Sequence, residues 1–476
     1  MKKNKKIILT NVLVEDYAAE GKSLAHVDGK VIFIDKAVPG DVVDIRLLKN
    51  KKDWGEGHPV FFHSYAGDRL EPFCSHFGVC GGCKWQMLPY PKQLQYKQQQ
   101  VADQLKRIGH IQLPEMMPII GGTEQRYYRN KLEFTFANKK YLTNEEVKNE
   151  AISQYENVAG FHAPGVFDKV VDIDVCYLQH EPTNRIRKLV KNFAIANSYT
   201  FYDIRMHTGW LRTMQVRLCT TGEIMVNIVV AHQQDEWLKA LLDHVMEQEP
   251  SITTLLYTIN QKWNDSLYDQ TPIAWHGPGF AMETLSTGSF GEDFKFKIGP
   301  KSFFQTNTKQ AENLYRITRD FAELDGTQTV YDLYCGTGSI GIFVSRLAKK
   351  IIGVEMIDAA IADAKENAAL NNITHAEFFA GDVADVCNEA FFTKHGRPDV
   401  IITDPPRAGM HEKLVKQILY MDAPIVVYVS CNPATQARDL KLLDEKYEVT
   451  KMQPVDMFPH THHIENVVQL KKRINI

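Results

Sequence analysis

No apolar run in these 476 residues approaches the roughly 18–20 residues that a membrane-spanning helix needs. Charge of one sign is lacking too: 55 Lys+Arg face 58 Asp+Glu, a net of −3. That excludes a chain coated in basic charge, and the net value alone argues for no nucleic-acid partner. There is no internal repeat and no low-complexity tract. With 44% apolar and 24% charged residues, collagen-like, coiled-coil and wholly disordered chains are excluded. Cysteines are few, eight in all, and only Cys74, Cys80 and Cys83 are clustered. The opening MKKNKKIILTNVLVED has no small-residue cleavage site, and its apolar stretch is broken by Thr10 and Asn11. It reads as a solvated tail, and the chain as cytoplasmic. Disulfides are then not expected, and clustered cysteines point to metal or catalysis.

The length suggests about three domains. The near-neutral balance hides an asymmetry. Residues 1–137 hold 20 Lys+Arg and 15 Asp+Glu, and the remainder 35 and 43. A mildly basic amino-terminal third sits on an acidic body. Within it VIFI (31–34), AVPGD and VVDIRLL (42–48) read as strands of a small β-barrel, followed by the basic run KNKKDW (49–54). Such a barrel suits nucleic acid, or is a plain β-domain with solvated lysines. Residues 68–90 form a turn-rich, cysteine-bearing segment, and a polar helix follows over 90–109, with Leu94, Gln98, Val101 and Leu105 at helical spacing. Residues 120–300 mix strands with helices near 183–196 and 235–248, and 138–158 read as a polar surface excursion.

From about 326, short apolar strands alternate with amphipathic helices, the pattern of a doubly wound parallel sheet. Ligands of such sheets bind at the carboxyl ends of the strands. DLYCGTGSIG (332–341) follows the first strand, and Gly336, Gly338 and Gly341 satisfy G-x-G-x-x-G. Alone this fits nicotinamide cofactors as well as S-adenosylmethionine. Glu355 ends the second strand, where it can accept hydrogen bonds from ribose hydroxyls. Asp382 ends the third, within reach of an adenine. The fourth ends in TDPPRAG (403–409), which delivers Asp404 beside two rigid prolines. A dehydrogenase has no need of that element, and many S-adenosylmethionine enzymes have it. The fifth strand runs into SCNPATQARDL, so Cys431 meets the same edge at the start of a helix, where a thiol can act as nucleophile. DMFPHTHHIENV (456–467) carries three histidines and Glu465; a turn before a closing strand explains it better than a metal site.

SCNPATQARDL, DPPRAG, DLYCGTG and DMFPHTHHIE together resemble the RNA 5-methyluridine methyltransferase family, through nearly the whole chain. The resemblance implies a TRAM-like (OB-like) RNA-binding barrel over 1–62, an α+β central domain over 63–300, and a Rossmann-like class I methyltransferase domain over 301–476. It places Cys431 as nucleophile and Glu465 as general base. Gln305, Tyr334, Gly336, Gly338, Glu355, Asp382 and Asp404 fall at the S-adenosylmethionine site, and Phe303, in PKSFFQTN, beside the target base. Cys74-x5-Cys80-x2-Cys83, with the distant Cys176, resembles the iron–sulfur site of bacterial 23S rRNA uridine methyltransferases. Four thiolates suit a 4Fe–4S cluster or structural zinc; the spacing departs from paired zinc knuckles and favours the cluster. The implied partner is RNA, 23S rRNA first and tRNA second, with no DNA, no membrane and a monomeric enzyme. The family's tRNA-specific bacterial members typically lack both the barrel and the cysteines.

Overall fold

The computed structural model describes residues 7–288 and 293–474; the lysine-rich start of the expected tail lies outside them. The amino-terminal sheet holds β1 (Ile8–Leu13), β2 (Asp16–Tyr17), β3 (Ser23–Val27), β4 (Lys30–Ile34), β5 (Val42–Asn50) and β6 (Trp54–Ser64), in the order β1-β5-β6-β4-β3-β2. Alternation builds it: Ile32 and Ile34 of β4 and Val43 and Ile45 of β5 face one core. Buried Asp41 in the AVPGD turn accepts the Val38 and Ala66 amides at 2.8 and 2.9 Å and pairs with Arg69, closing β5 against the chain that leaves β6. β6 reaches two residues beyond the expected boundary at 62.

α1 (Tyr90–Gln104) follows, continued by one wider turn over Leu105–Gly109. Its buried stripe is Gln93, Lys97, Val101 and Leu105, not the stripe through Leu94 and Gln98 that apolar spacing suggests. The reason is tertiary. Lys97 Nζ meets Asp456 Oδ1 at 2.5 Å with both side chains fully buried. Tyr90 donates to the other Asp456 oxygen at 2.8 Å, and Gln93 accepts the His460 amide at 2.8 Å. A polar helix thus carries the loop that precedes Glu465.

The central sheet comprises β7 (Lys131–Ala137), β8 (Val158–His162), β9 (Val170–Asp172), β10 (Leu211–Leu218), β11 (Ile224–Val230), β12 (Thr254–Ile259) and β13 (Ile273–His276). Their order is β13-β12-β11-β10-β7-β8-β9, with β11 and β12 parallel and the remaining pairs antiparallel. α2 (Thr183–Ala196) and α3 (Asp235–Gln248) lie over it, at the positions their periodicity suggests, and share its core. The excursion forms no strand before β8 begins at Val158, only a short helical turn over Glu146–Lys148, and Lys140 ties it together through Glu146 and Glu156. The hairpin β14 (Ala281–Leu285) and β15 (Phe294–Ile298) leads into α4 (Thr308–Ala322).

The last sheet alternates as expected: β16 (Thr329–Leu333), α5 (Ser339–Val344), β17 (Lys350–Glu355), α6 (Asp358–Leu370), β18 (Ala376–Ala380), α7 (Val383–Val386), α8 (Glu389–His395), β19 (Val400–Thr403), α9 (Glu412–Met421), β20 (Ile425–Ser430), α10 (Pro433–Leu443), β21 (Tyr447–Val455) and β22 (Glu465–Lys472). Its order is β18-β17-β16-β19-β20-β22-β21. Both faces are covered, which is why the parallel strands are apolar throughout. β22 runs antiparallel between β20 and β21. Among the described residues no helix is long and apolar enough to cross a membrane.

The buried Lys97–Asp456 pair yields a stability prediction. Lys97→Met leaves Asp456 buried without its cation and is expected to cost about 3–5 kcal/mol, read by urea unfolding; replacing both by apolar residues should recover most of that loss. A single variant as stable as the parent would contradict the pairing.

Candidate active site

Five strand ends meet at the carboxyl edge of the last sheet, those of β16, β17, β18, β19 and β20. After β16, Tyr334 adopts a left-handed backbone (φ 61°), a conformation that costs a non-glycine residue on the order of 1–3 kcal/mol and is kept where the surroundings hold it. Gly336 (φ 53°) and Gly338 (φ 78°) carry the turn into α5. A Cβ on Gly338 would crowd Ala364 and Phe378 at 3.1 Å, whereas one on Gly336 would enter open space. That open side is where a ligand comes close to the backbone. Glu355 accepts the Gly336 amide at 3.3 Å, and Asp382 caps α7 through the Ala384 amide at 2.8 Å. Burial, then the charges of Asp382 and Glu355, push the Tyr334 phenol up. The segment 300–307 reaches the same turn: Thr337 donates to the Phe303 carbonyl at 3.4 Å. Gln305 is 8% exposed, while the Phe303 ring stands 69% exposed. The glycine turn, with Glu355 and Asp382 at the neighbouring strand ends, is a donor set that fits S-adenosylmethionine.

The second half of the site depends on strand register. β20 and β22 pair with Ser430 opposite Asn466, so the next positions, Cys431 and Glu465, lie across from each other. Buried Gln436 locks this register, donating to the Tyr428 and Asn466 carbonyls at 3.0 and 3.1 Å and accepting from the Asn466 amide group at 2.8 Å. Cys431 is followed by Asn432, which caps α10 through the Ala434 amide, and by Pro433 at its first turn. The same turn clasps the DPPRAG loop: Asn432 and Thr435 donate to the Arg407 carbonyl at 3.0 and 3.3 Å. Buried Asp439 accepts the Met410 amide and the Tyr428 hydroxyl, each at 2.8 Å.

The electrostatics follow from burial. Glu465 is held well above the usual carboxylate range, first by burial and then by the charge of Asp404. Burial also pushes Asp404 up. The Cys431 thiol is pushed up to about 12 by burial, Glu465 and Asp404, and Arg407 opposes. Arg407, quoted in the sequence motif but given no role there, is thus the cation acting on both thiol and base. The three histidines form a turn, as read from the sequence. His460 is buried against Gln93, and burial pulls all three rings down, to about 4, 3 and 4 for His460, His462 and His463. Cys431, Arg407 and His462 also line a cavity of about 710 Å³, whose other wall is the amino-terminal sheet.

Cys74, Cys80, Cys83 and Cys176 line a second cavity, of about 170 Å³, between the turn-rich segment and the central sheet. Cys176 is placed by Asn184, which accepts its amide at 2.8 Å, and Cys74 by Gln86, which accepts its amide at 3.2 Å. Among the described residues no three His, Cys, Asp or Glu side chains are grouped to hold one metal ion.

The sheet order, the glycine turn and the acids at successive strand ends define a doubly wound methyltransferase domain. A family model described as tRNA (uracil-5-)-methyltransferase matches residues 277–473. The chain is 51% identical over 459 residues to an uncharacterised RNA methyltransferase of Bacteroides thetaiotaomicron, covering 96% of this chain and 100% of that protein. It is 47% identical to another from Porphyromonas gingivalis, covering 96% and 98%. Among solved structures, the tRNA (uracil-54, C5)-methyltransferase of Pyrococcus abyssi, in complex with S-adenosyl-L-homocysteine, aligns with a TM-score of 0.73 at 27% identity, covering 97% of this chain and all of that one. The chain belongs to the RNA 5-methyluridine methyltransferase family, as its motifs suggested.

The raised thiol is directly testable. Alkylation of Cys431 by iodoacetamide, followed by peptide mass spectrometry, should run at least about tenfold slower than for free cysteine at pH 7 and rise about tenfold per pH unit up to pH 10, because only the thiolate reacts. Arg407→Ala should slow it further. A plateau below pH 9 would contradict the geometry.

Proposed function

We propose that this protein methylates carbon 5 of one uridine in 23S rRNA, with Cys431 as nucleophile and Glu465 as general base. The observation that carries the reading is the register that sets Cys431 opposite Glu465 beside Asp404. Carbon 5 of uracil is too weak a nucleophile to take a methyl group unaided. Addition of the Cys431 thiolate to carbon 6 pushes the ring electrons toward the carbonyl oxygen at carbon 4 and makes carbon 5 an enolate carbon. S-adenosylmethionine supplies an electrophilic methyl group. Glu465 then takes the carbon 5 proton, the carbon 5–carbon 6 double bond re-forms, and the sulfur leaves. Both groups must act as anions, and burial favours the neutral form of each. The free-enzyme rate should therefore rise with pH on the acid side. Arg407 favours both anions. Phe303, exposed beside the glycine turn, is placed to hold the flipped base.

The four thiols support a 4Fe–4S cluster. They share one cavity, and a cubane takes each of four thiolates on a different iron. In this reading Cys74, Cys80, Cys83 and Cys176 pin the segment after the amino-terminal sheet to the central domain. The sheet itself fits a TRAM-type RNA-binding module. These cysteines support an rRNA target. The match of the Pyrococcus tRNA enzyme along almost the whole chain supports the second reading, a tRNA uridine, and removes the amino-terminal sheet as a criterion between the two.

Cys431→Ala should abolish methylation of uridine. Glu465→Gln should accumulate a covalent protein–RNA adduct, seen as a mass shift. Mapping 5-methyluridine in 23S rRNA and tRNA with and without the gene separates the two targets. For the cluster, anaerobic purification should give a brown protein with broad absorption near 400 nm (about four irons per chain); a colourless protein with stoichiometric zinc would refute it.

A further inference from the structure

The cavity of about 710 Å³ beside Cys431 has walls that Glu465, Asp404, Gln305 and Phe303 do not share. It therefore adjoins the reacting thiol from another side than the base and the glycine turn. Its volume is that of a whole small-molecule pocket, more than one pyrimidine ring needs. Phe33 and Trp54 of the amino-terminal sheet form part of the wall, with their rings 6.2 Å apart at 67°. Lys22 stands on the same wall, where it and Lys49 share the carboxylate of Glu56, each at 2.9 Å; Arg407 lines the opposite side, and Glu20 and Asp53 line the cavity as well. From α1 comes Gln104, and from the catalytic turn His462. Each of these two side chains has one buried polar atom, Gln104 Oε1 and His462 Nδ1, without a hydrogen-bond partner in the protein. Buried polar atoms are rarely left so. The wall is also fixed in place. A Cβ on Gly21 would sit 3.0 Å from His462 Cβ, Lys84 donates to the Glu20 carbonyl at 3.0 Å, and Trp85 donates to the Gly21 carbonyl at 3.4 Å.

Aromatic edges, cations within reach of a phosphate and unpaired hydrogen-bonding atoms are what an unstacked nucleotide requires. We infer that this cavity is a second nucleotide subsite: it takes the base adjacent to the target uridine, against Phe33 and Trp54, with Gln104 and His462 on its polar edge and Lys22 toward its phosphate. The amino-terminal sheet would then select the uridine through its neighbour, where a merely tethering module would add only general affinity. This rests on the uridine methyltransferase reading above.

The test is a set of synthetic RNA fragments centred on the uridine that the mapping identifies, each with one abasic residue at a position flanking it. Methylation kcat/KM is measured for the parent protein, Phe33→Ala and Gln104→Ala. One abasic position should lower the parent's kcat/KM about tenfold or more, the usual weight of one stacked base. Each variant should lose a comparable factor on intact RNA and little more on that abasic RNA. Gln104→Ala removes no hydrogen bond made by its Oε1, so its loss cannot be assigned to misfolding, and an unchanged melting temperature checks this. If the losses multiply, or if no flanking base matters while intact RNA is methylated, the subsite is overturned and the catalytic reading stands. If the parent protein methylates no RNA, both fall.

Discussion

One antiparallel strand governs this molecule's chemistry. β22 enters the sheet between β20 and β21 and faces Glu465 to Cys431 across the ladder. A slip of one residue would turn Glu465 to the other face and part it from Cys431. The protein guards that register at two places. Gln436 and Asn466 bridge the strands beside the site. Farther off, the buried Lys97–Asp456 pair, with Tyr90 and Gln93, fixes the loop that leads into β22. A buried ion pair adds little net stability over apolar packing, but it tolerates no mismatch. Here it ties a helix near residue 97 to the loop that precedes the last strand.

The site so assembled is crowded with acids, with Glu465 buried and Cys431 open on one side to the large cavity. Two carboxyls and a thiol lie together with one nearby guanidinium. In such a site each anion disfavours the next, so burial and like charge raise the proton affinity of all three groups. That suits a reaction in which the thiolate and the carboxylate are needed at successive moments. The roles of the two halves of the sheet edge also separate. The ends of β16, β17 and β18 surround the glycine turn, whereas β19, β20 and β22 supply Asp404, Cys431 and Glu465.

Much of this was legible in the sequence, because strand–helix alternation and glycine turns are local. The doubly wound strands, α2, α3 and the placement of Asp404 and Cys431 at one edge follow from periodicity and turn residues. What was not legible is tertiary. The buried stripe of α1 was misread because Lys97 takes its partner from residue 456. The insertion of β22 between β20 and β21 leaves no mark on the strand VVQL itself. Arg407 and Gln104 are ordinary polar residues until the fold brings them to the thiol and to the cavity. The net charge of −3 was a poor guide to a nucleic-acid substrate, since several of the carboxylates are buried at the site rather than spread on a surface.

The central claim is that a thiol adduct at carbon 6 opens carbon 5 to methylation and that the proton there is then removed. Release of tritium from RNA labelled at carbon 5 of uridine tests it most directly. The account predicts one tritium released to water per methyl group transferred by the parent protein, and none without Cys431. Methyl transfer to RNA with the tritium retained would contradict it.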